Sequence, residues 1–203
     1  MKKPGRVPVQ GLILTLTVYL ILWASGDQAA AGPMDDVKAL IEEVQGILQT
    51  KSEKSQRLEL IEKIEDRHLD FREMAKRSLQ STWAGLNRSQ QDEFIEIFSK
   101  LMKAHIAKHL DTFAKTKVEY QGETFHSEAS EVRILVARPN DKIPVKFLLL
   151  HKPQGWMIYD MNIDGVSMAD NFRTRFGTMI SMRSYGELLR TMKDRLKAES
   201  GGR

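Results

Sequence analysis

The chain has 203 residues, five histidines, no cysteine and a formal net charge of +4, and its length fits one domain. The lack of cysteine excludes disulfides, thiol catalysis, cysteine-ligated metals and a lipid anchor on a processed cysteine. Without residues 1–31, the chain keeps 28 basic and 26 acidic residues, a net charge of +2. This charge is too small for a nucleic-acid-binding surface.

The first residues have the three parts of a secretory signal peptide. Basic residues among the first six precede the apolar run 11–24, and three alanines at 29–31 offer a small-residue cleavage site. An uncleaved membrane anchor is the alternative, but a spanning helix needs about 20 apolar residues. The sequence therefore predicts a cleavable signal peptide at 1–31 and a single exported domain at 32–203.

Three helices are predicted in the N-terminal half, at 35–48, 57–82 and 90–114, because apolar residues recur there at helical spacing. Ser89 and Asp92 form a capping-box-like start for the third helix. The third helix is apolar over about 220° of its circumference, against the roughly 100° stripe of an ordinary surface helix. It is expected to be buried on two sides or to line an apolar space.

His105 and His109 lie one turn apart on this third helix. Two histidines at this spacing can bind zinc. The sequence has no HExxH pattern and no third ligand near them. A pair of packed or hydrogen-bonded histidines is the preferred interpretation.

From residue 117 the apolar period changes from helical to alternating. Strand-like runs occupy 117–125, 131–138, 143–152 and 155–163, and turn-forming residues separate the last three. This pattern predicts an antiparallel meander. Phe147 to Leu150 are apolar on both faces, so the third strand is expected to be covered on both. Two helices follow residue 166, with a join near residues 181–184.

The segment 160–165 matches the opening D-x-N-x-D-G of a calcium-binding EF-hand loop. The rest of the loop does not fit, because Met168 and Asn171 occupy its ninth and twelfth positions, and the twelfth requires a bidentate glutamate. The preceding residues also alternate as in a strand. We interpret the segment as a strand end and a turn at Gly165, with Ser167 or Asp164 capping the next helix.

A catalytic constellation is not evident in the sequence. The GxSxG, P-loop, GxGxxG and HExxH patterns are missing. Asp160 and Asp164 lie about 13 Å apart along a strand, too far for a retaining glycosidase pair. The sequence is instead rich in apolar residues: it has ten methionines, and its predicted helices and strands have broad apolar faces. This composition favours a protein that binds an apolar ligand.

Two blocks of residues stand out by their order and spacing. The later block holds Trp156, Tyr159-Asp160, Gly165-Val166-Ser167 and Phe172-Arg173; the earlier one holds Asp70-Phe71, Met74-Ala75, Leu79, Trp83, Leu86, Gln90 or Gln91, Phe94 and Phe98. Together they are similar to the periplasmic phospholipid-binding proteins of the MlaC type, also called the toluene-tolerance family. The resemblance covers about 35–197. One departure is Gln80, where the family usually has a small residue, often glycine.

The resemblance implies an α+β fold, in which helices pack around a curved antiparallel sheet like that of NTF2, with an apolar cleft between sheet and helices. It implies a monomeric periplasmic phospholipid carrier without enzymatic activity, cofactor, metal or nucleic acid. The implied protein partners are an outer-membrane lipoprotein complex and an inner-membrane ABC transporter with an MCE-type subunit. The expected lipid-binding residues are Phe94, Phe98, Leu101, Val145, Phe147, Leu149, Met157, Tyr159, Met161, Phe172 and Phe176.

Alternative functions stay open at this point. A ligand-free structural adaptor of a membrane ABC system would need no cleft. A binder of other hydrophobic molecules, such as solvents or hopanoid-like lipids, would share the cleft, and an enzyme on an NTF2-like scaffold would show polar groups converging at its floor. Arg173 and the basic residues of the last helix (Arg190, Lys193, Arg195 and Lys197) are either ordinary surface charges or contacts for an acidic partner, a head group or an anionic membrane.

Overall fold

The computed structural model describes residues 32–114, 116–137 and 141–200. The predicted signal peptide, residues 1–31, lies outside the described residues. Within the described ranges, no helix has the length and apolar character needed to cross a membrane.

Helices occupy both ends of the described chain, and a five-stranded antiparallel sheet lies between them. The N-terminal helices are α1 Pro33–Leu48, α2 Lys54–His68, α3 Phe71–Leu79, α4 Ser81–Ala84, α5 Arg88–Ala107 and α6 Leu110–Phe113. The strands are β1 Lys117–His126, β2 Ala129–Ala137, β3 Lys142–Lys152, β4 Gly155–Ile163 and β5 Val166–Ser167, and the last helices are α7 Met168–Met182 and α8 Tyr185–Ser200. The predicted α+β fold and the join near residues 181–184 are confirmed.

The sheet is a meander in which each strand pairs with its neighbour in sequence. Two irregularities interrupt the register, one on β1 between Tyr120 and Gly122 and one in the β3–β4 pairing at Leu148 and Leu149. An extra residue on one strand bends and twists that strand locally, so these irregularities contribute to the curvature of the sheet. On β3, Phe147 and Leu149 are buried, whereas Leu148 and Leu150 on the other face are only half-buried. The expected cover of β3 on both faces is therefore complete on one face and partial on the other.

The predicted helix 57–82 is wrong as a single element, because the chain leaves the helical conformation after His68. Leu69 is extended and forms a bridge with Ile158 of β4, and the Asp70 N–H donates to the Ile158 carbonyl at 2.8 Å. The Asp70 carboxylate then accepts from the Glu73 N–H at 2.9 Å and begins α3. An aspartate that caps a new helix stabilises the break.

A second break follows at Gln80, whose φ of 48° and ψ of −119° separate α3 from α4. This conformation strains a residue with a Cβ atom and suits glycine. With its amide oxygen facing Arg173, the side chain accepts from Nε at 3.2 Å and from Nη1 at 3.1 Å. Gln80 is thus a strained position with a side-chain contact that partly offsets the strain.

Replacing Gln80 by glycine is expected to make the protein more stable than replacing it by alanine. Gln80→Gly and Gln80→Ala lose the same contact with Arg173, but only glycine relieves the backbone strain. The expected difference in the free energy of unfolding is about 1 kcal/mol, measured by urea denaturation of both variants. Equal stability of the two variants would show that the backbone at this position is not strained.

The start of α5 differs from the prediction. Asn87 is the N-cap residue, and its side chain accepts from the Gln90 N–H at 3.0 Å. The Gln90 side chain in turn accepts from the Asn87 N–H at 2.9 Å. The capping box therefore begins two residues before Ser89, and the predicted Ser89–Asp92 pair was wrong. The predicted helix 90–114 also ends early, at Ala107, and a short separate helix, α6, follows.

The D-x-N-x-D-G segment forms the end of β4 and a two-residue turn. Asp164 and Gly165 have φ values of 52° and 83°, as a type I′ hairpin turn requires, and Ile163 pairs with Val166 across it. The Asp160 carboxylate is buried and accepts from the N–H groups of Met161 at 2.8 Å and Ala169 at 2.9 Å. It also accepts from the Ser167 hydroxyl at 2.6 Å.

Ser167 caps α7, because its hydroxyl oxygen accepts from the Asp170 N–H at 3.0 Å. This confirms the expectation that Ser167 or Asp164 caps the helix. The Asp160 carboxylate therefore holds the β4–β5 hairpin to the start of α7. These hydrogen bonds give the segment a structural explanation in place of the calcium-loop interpretation.

Candidate ligand-binding cavity

A cavity of about 460 Å³ lies between one face of the sheet and the helices α1, α2, α5 and α6. The sheet contributes Ile134, Val136, Ile143, Val145, Phe147, Met161 and Ile163. The other apolar wall residues are Leu40, Ile41, Val44, Ile61, Leu69, Ile106, Leu110, Phe113 and Met168. The volume falls within the roughly 300–1,000 Å³ of ordinary small-molecule sites.

The sheet wall follows from the two-residue period of the strands, which places alternate side chains on one face. Cross-strand register then brings these side chains together. Val145 lies opposite Ile134 on β2 and opposite Ile163 on β4, and Phe147 lies opposite Met161. The result is a continuous apolar surface across three strands.

The exposed wall residues border the opening of the cavity to solvent. These are His105, His109 and Ile163, and Ile163 is 42% exposed. Ile61 and Ile134, each 2% exposed, lie among the most buried wall residues. The polar histidine side chains thus lie at the solvent side of the cavity, and the buried part of its wall is mainly apolar.

The two histidines at the rim pack edge to face, with ring centroids 5.0 Å apart and planes at 63°. This contact agrees with the interpretation from the sequence that His105 and His109 are a packed pair. Burial lowers the pKa of His105 below its usual value, and the neighbouring His109, Arg195 and Lys108 lower it further against the opposing effect of Glu199. Among the described residues, no three His, Cys, Asp or Glu side chains come close enough together to hold a metal ion.

Glu65 is an acidic residue in the wall of the cavity and is 4% exposed. Burial raises the pKa of its carboxyl group to about 8, partly opposed by the positive charge of Lys103 and reinforced by Glu62 and Asp66. Its Oε2 has no hydrogen-bond partner within the described part of the chain. At neutral pH the carboxyl group is therefore mostly unionised.

The structure brings three of the predicted lipid-binding residues to the cavity: Val145, Phe147 and Met161. Leu149 and Met157 are buried in the core, Leu101 packs against it, and Tyr159 lies 4.0 Å below the Arg77 guanidinium. None of these last four is part of the cavity wall. Contact of any of them with a ligand stays a prediction.

The remaining four predicted residues form an aromatic cluster between α5 and α7. Ring centroids are 5.8 Å apart for Phe94 and Phe98, 5.4 Å for Phe98 and Phe172, and 5.5 Å for Phe172 and Phe176. The broad apolar arc of α5 is thus explained by burial on two sides: Phe94 and Phe98 pack against α7, and Ile106 lines the cavity. A second space of about 10 Å³ beside Phe98, Phe172 and Tyr159 is no larger than a single water site.

The cavity residues on α1, α2 and α6 were not among the predicted lipid-binding residues. Ile41 and Val44 belong to a helical stripe that was recognised, but a stripe facing a cavity looks the same as one facing a packed core. Glu65 could have been noticed in the sequence as a cavity residue, because it is an acidic residue four positions from Ile61 and four from Leu69, at a helical spacing that is otherwise apolar.

The basic residues of α8 are exposed, and several have acidic partners. Lys193 Nζ is 2.6 Å from Glu93, Arg190 is 2.7 Å from Glu187, and Arg195 is 3.5 Å from Glu199. Arg173 on α7 is 2.8 Å from Asp170. The structure therefore gives these charges ordinary surface ion pairs, which contribute little to stability.

Fold and cavity together define a class of protein: an α+β domain whose helices enclose an apolar cavity against a meander sheet. The chain belongs to the MlaC protein family, whose pattern matches residues 38–194. This confirms the family resemblance found in the sequence. No curated protein matches the chain.

A solved structure shares the fold. It is the phospholipid-binding protein from Ralstonia solanacearum in complex with a phospholipid, with a TM-score of 0.74 and 20% sequence identity. The similarity covers 84% of this chain and 99% of the Ralstonia chain. At this identity the comparison establishes the fold, and it agrees with the α+β architecture described above.

Proposed function

We propose that this protein is a phospholipid carrier. In this role it shuttles lipid across the periplasm between an outer-membrane lipoprotein complex and an inner-membrane ABC transporter with an MCE-type subunit. The observation that carries the proposal is the apolar cavity of about 460 Å³ between sheet and helices. Membership of the MlaC family and a structural relative described as phospholipid-binding support it.

The energetics of lipid transfer explain why a carrier needs such a cavity. A phospholipid has roughly 30 methylenes, and exposing their apolar surface to water costs on the order of 20 kcal/mol. A protein that extracts the lipid must cover most of that surface. Burial in the membrane and burial in the protein then nearly cancel, so the protein exchanges lipid and its partners determine the direction of transport.

Export to the periplasm is part of the proposal. The resemblance to the periplasmic proteins of the MlaC type supports export, and residues 1–31 have the pattern of a cleavable signal peptide. The absence of cysteine agrees with a domain that matures without disulfides. Residues 32–203 are then the single lipid-binding domain.

The cavity favours a carrier over a ligand-free adaptor, because an adaptor has no need of a large apolar space open to solvent. It also favours a binding role over catalysis, because its polar wall residues, Glu65, His105, His109 and Thr116, are few among the apolar ones. A binder of other hydrophobic molecules would share the same apolar wall. Transfer of a defined phospholipid distinguishes that alternative.

Transfer between vesicles tests the proposal. Donor vesicles carry a labelled diacyl phospholipid, acceptor vesicles are label-free, and the exported protein is added without detergent. We expect the initial rate of label transfer to rise in proportion to protein concentration. The absence of transfer, together with the absence of lipid on the re-isolated protein, would favour the adaptor.

A further inference from the structure

Glu65 places a hydrogen-bonding group in a cavity whose wall is otherwise mainly apolar. It lies on α2 between Ile61 and Leu69, which line the same cavity, and its Oε2 has no hydrogen-bond partner in the described residues. Buried polar groups in native proteins nearly always have a partner, and an unpaired one destabilises the fold. The polypeptide thus leaves a carboxyl group in the wall for which a ligand can supply the partner.

The charges around Glu65 do not supply that partner. Lys103 on α5 attracts the carboxylate, but its Nζ is 2.6 Å from Asp66 Oδ1. Glu62 and Asp66 on α2 both disfavour ionisation of Glu65. With a pKa raised to about 8, the carboxyl group is mostly unionised at neutral pH and has an O–H to donate.

A bound lipid changes the surroundings of this group. Glu65 lines the cavity but is only 4% exposed, so water hydrates its carboxyl group poorly even without a ligand. Acyl chains in the cavity surround the O–H with hydrocarbon, which is unfavourable. A ligand that presents an oxygen atom at this point supplies the missing hydrogen bond, whereas a pure hydrocarbon chain does not.

We propose that the carboxyl group of Glu65 donates a hydrogen bond to an oxygen atom of the bound lipid and thereby selects lipids that carry such an oxygen beside or within their acyl chains. The inference rests on the proposed lipid-carrier function and adds a specificity-determining residue to it. The oxygen has two chemical sources: the ester carbonyl at the head of each chain, or a hydroxyl group on the chain.

Three synthetic phospholipids with one head group and equal chain lengths separate these sources. The first has two ester-linked chains, the second has ether-linked chains without carbonyls, and the third is the ether lipid with a hydroxyl on each chain. Binding of each is measured by native mass spectrometry at pH 6.5, on delipidated wild-type protein and on Glu65→Met and Glu65→Gln. Methionine keeps the size without the hydrogen bond, and glutamine keeps a neutral donor.

We expect Glu65→Met to weaken binding of an oxygen-bearing lipid about 3- to 10-fold, the effect of one net hydrogen bond. If Glu65→Met weakens binding of the ester lipid alone, the ester carbonyl is the acceptor of the hydrogen bond. If it weakens binding of the hydroxylated ether lipid alone, the hydroxyl group is the acceptor. Glu65→Gln is expected to keep the wild-type preference. An equal effect of Glu65→Met on all three lipids, or none on any, would overturn the inference.

Raising the pH to 9.5 provides a second readout that a merely structural residue would not give. The ionised Glu65 cannot donate a hydrogen bond. The wild-type protein is therefore expected to lose its preference for the oxygen-bearing lipid, while Glu65→Gln keeps that preference. The remaining charged groups near the cavity, Lys103, Glu62, Asp66 and the rim histidines, are the same in both proteins. A pH-independent preference in the wild type would contradict the inference.

The outcomes for function and specificity remain distinguishable. Uptake of all three lipids by the wild type, without any effect of the Glu65 variants, removes only the specificity inference. Failure of the wild type to take up any of the three lipids overturns the carrier function and this inference with it.

Discussion

Val136→Trp is expected to lose most of its lipid-binding capacity. Val136 lines the cavity on β2, and an indole at this position occupies space that acyl chains would use. Excluding roughly three methylenes costs about 2.5 kcal/mol at 0.8 kcal/mol each, which corresponds to a loss of affinity between tenfold and a hundredfold. Vesicle transfer and lipid retention measure the effect.

Leu135→Trp is the matched control for this variant. Leu135 is the preceding residue on the same strand, is also half-buried, and points to the opposite face of the sheet. We expect it to transfer lipid at the wild-type rate. Equal transfer by Val136→Trp and the wild type, in a variant that keeps its circular dichroism spectrum, would show that the cavity does not hold the lipid.

Glu65→Gln is expected to stabilise the delipidated protein at neutral pH and to leave its stability unchanged at acid pH. Below pH 4.5, Glu65 is protonated in both the folded and the unfolded state, so the variant gains nothing. Between pH 4.5 and about 8, the unfolded state ionises while the folded state stays protonated. The wild-type free energy of unfolding then falls by about 1.4 kcal/mol per pH unit relative to the variant.

The resulting gain for Glu65→Gln is about 3 kcal/mol at pH 7, and it stops growing above pH 8, where both states of the wild type are ionised. Urea denaturation at pH 4, 7 and 9 measures it. Glu59→Gln, on the exposed face of the same helix, is the control, and its effect is expected to change little over this range. A Glu65→Gln effect that is the same at pH 4 and pH 7 would contradict the raised pKa.

The architecture was largely predictable because it depends on local patterns. The alternation along 131–163 predicts the strands of the meander. Val145, Phe147 and Met161, which follow this alternation, line the cavity, and their contact with a lipid stays a prediction. The break at Asp70 was missed although D-x-x-E at 70–73 is a recognisable helix start. The hydrophobic spacing on both sides of Asp70 continues almost in phase, so periodicity alone favoured one long helix.

The cavity was less predictable than the fold. Phe94, Phe98, Phe172 and Phe176 were chosen as lipid contacts because they are large and apolar, but those same properties let them pack against each other. Whether an apolar face packs in a core or lines a cavity depends on the distance between the helices and the sheet. That distance is set by tertiary structure and is not evident from local sequence. Ile61 and Leu110 line the space, yet nothing in their local sequence separates them from ordinary core residues.

At Gln80, the resemblance to the family pointed to an unusual backbone conformation. The resemblance marked this position because a small residue, often glycine, is usual there, and the backbone of Gln80 does adopt a positive φ of 48°. The chain keeps the turn despite the side chain, and the hydrogen bonds from Arg173 accompany it. The departure therefore changes local strain and leaves the fold intact.

Native mass spectrometry of the exported protein, purified from a periplasmic extract without detergent, tests the carrier function most directly. We expect a polypeptide that carries additional mass in the phospholipid range, released as intact lipid on denaturation. A polypeptide that is bare on isolation, and stays bare after incubation with phospholipid vesicles, would contradict the carrier function and leave the cavity without a lipid ligand.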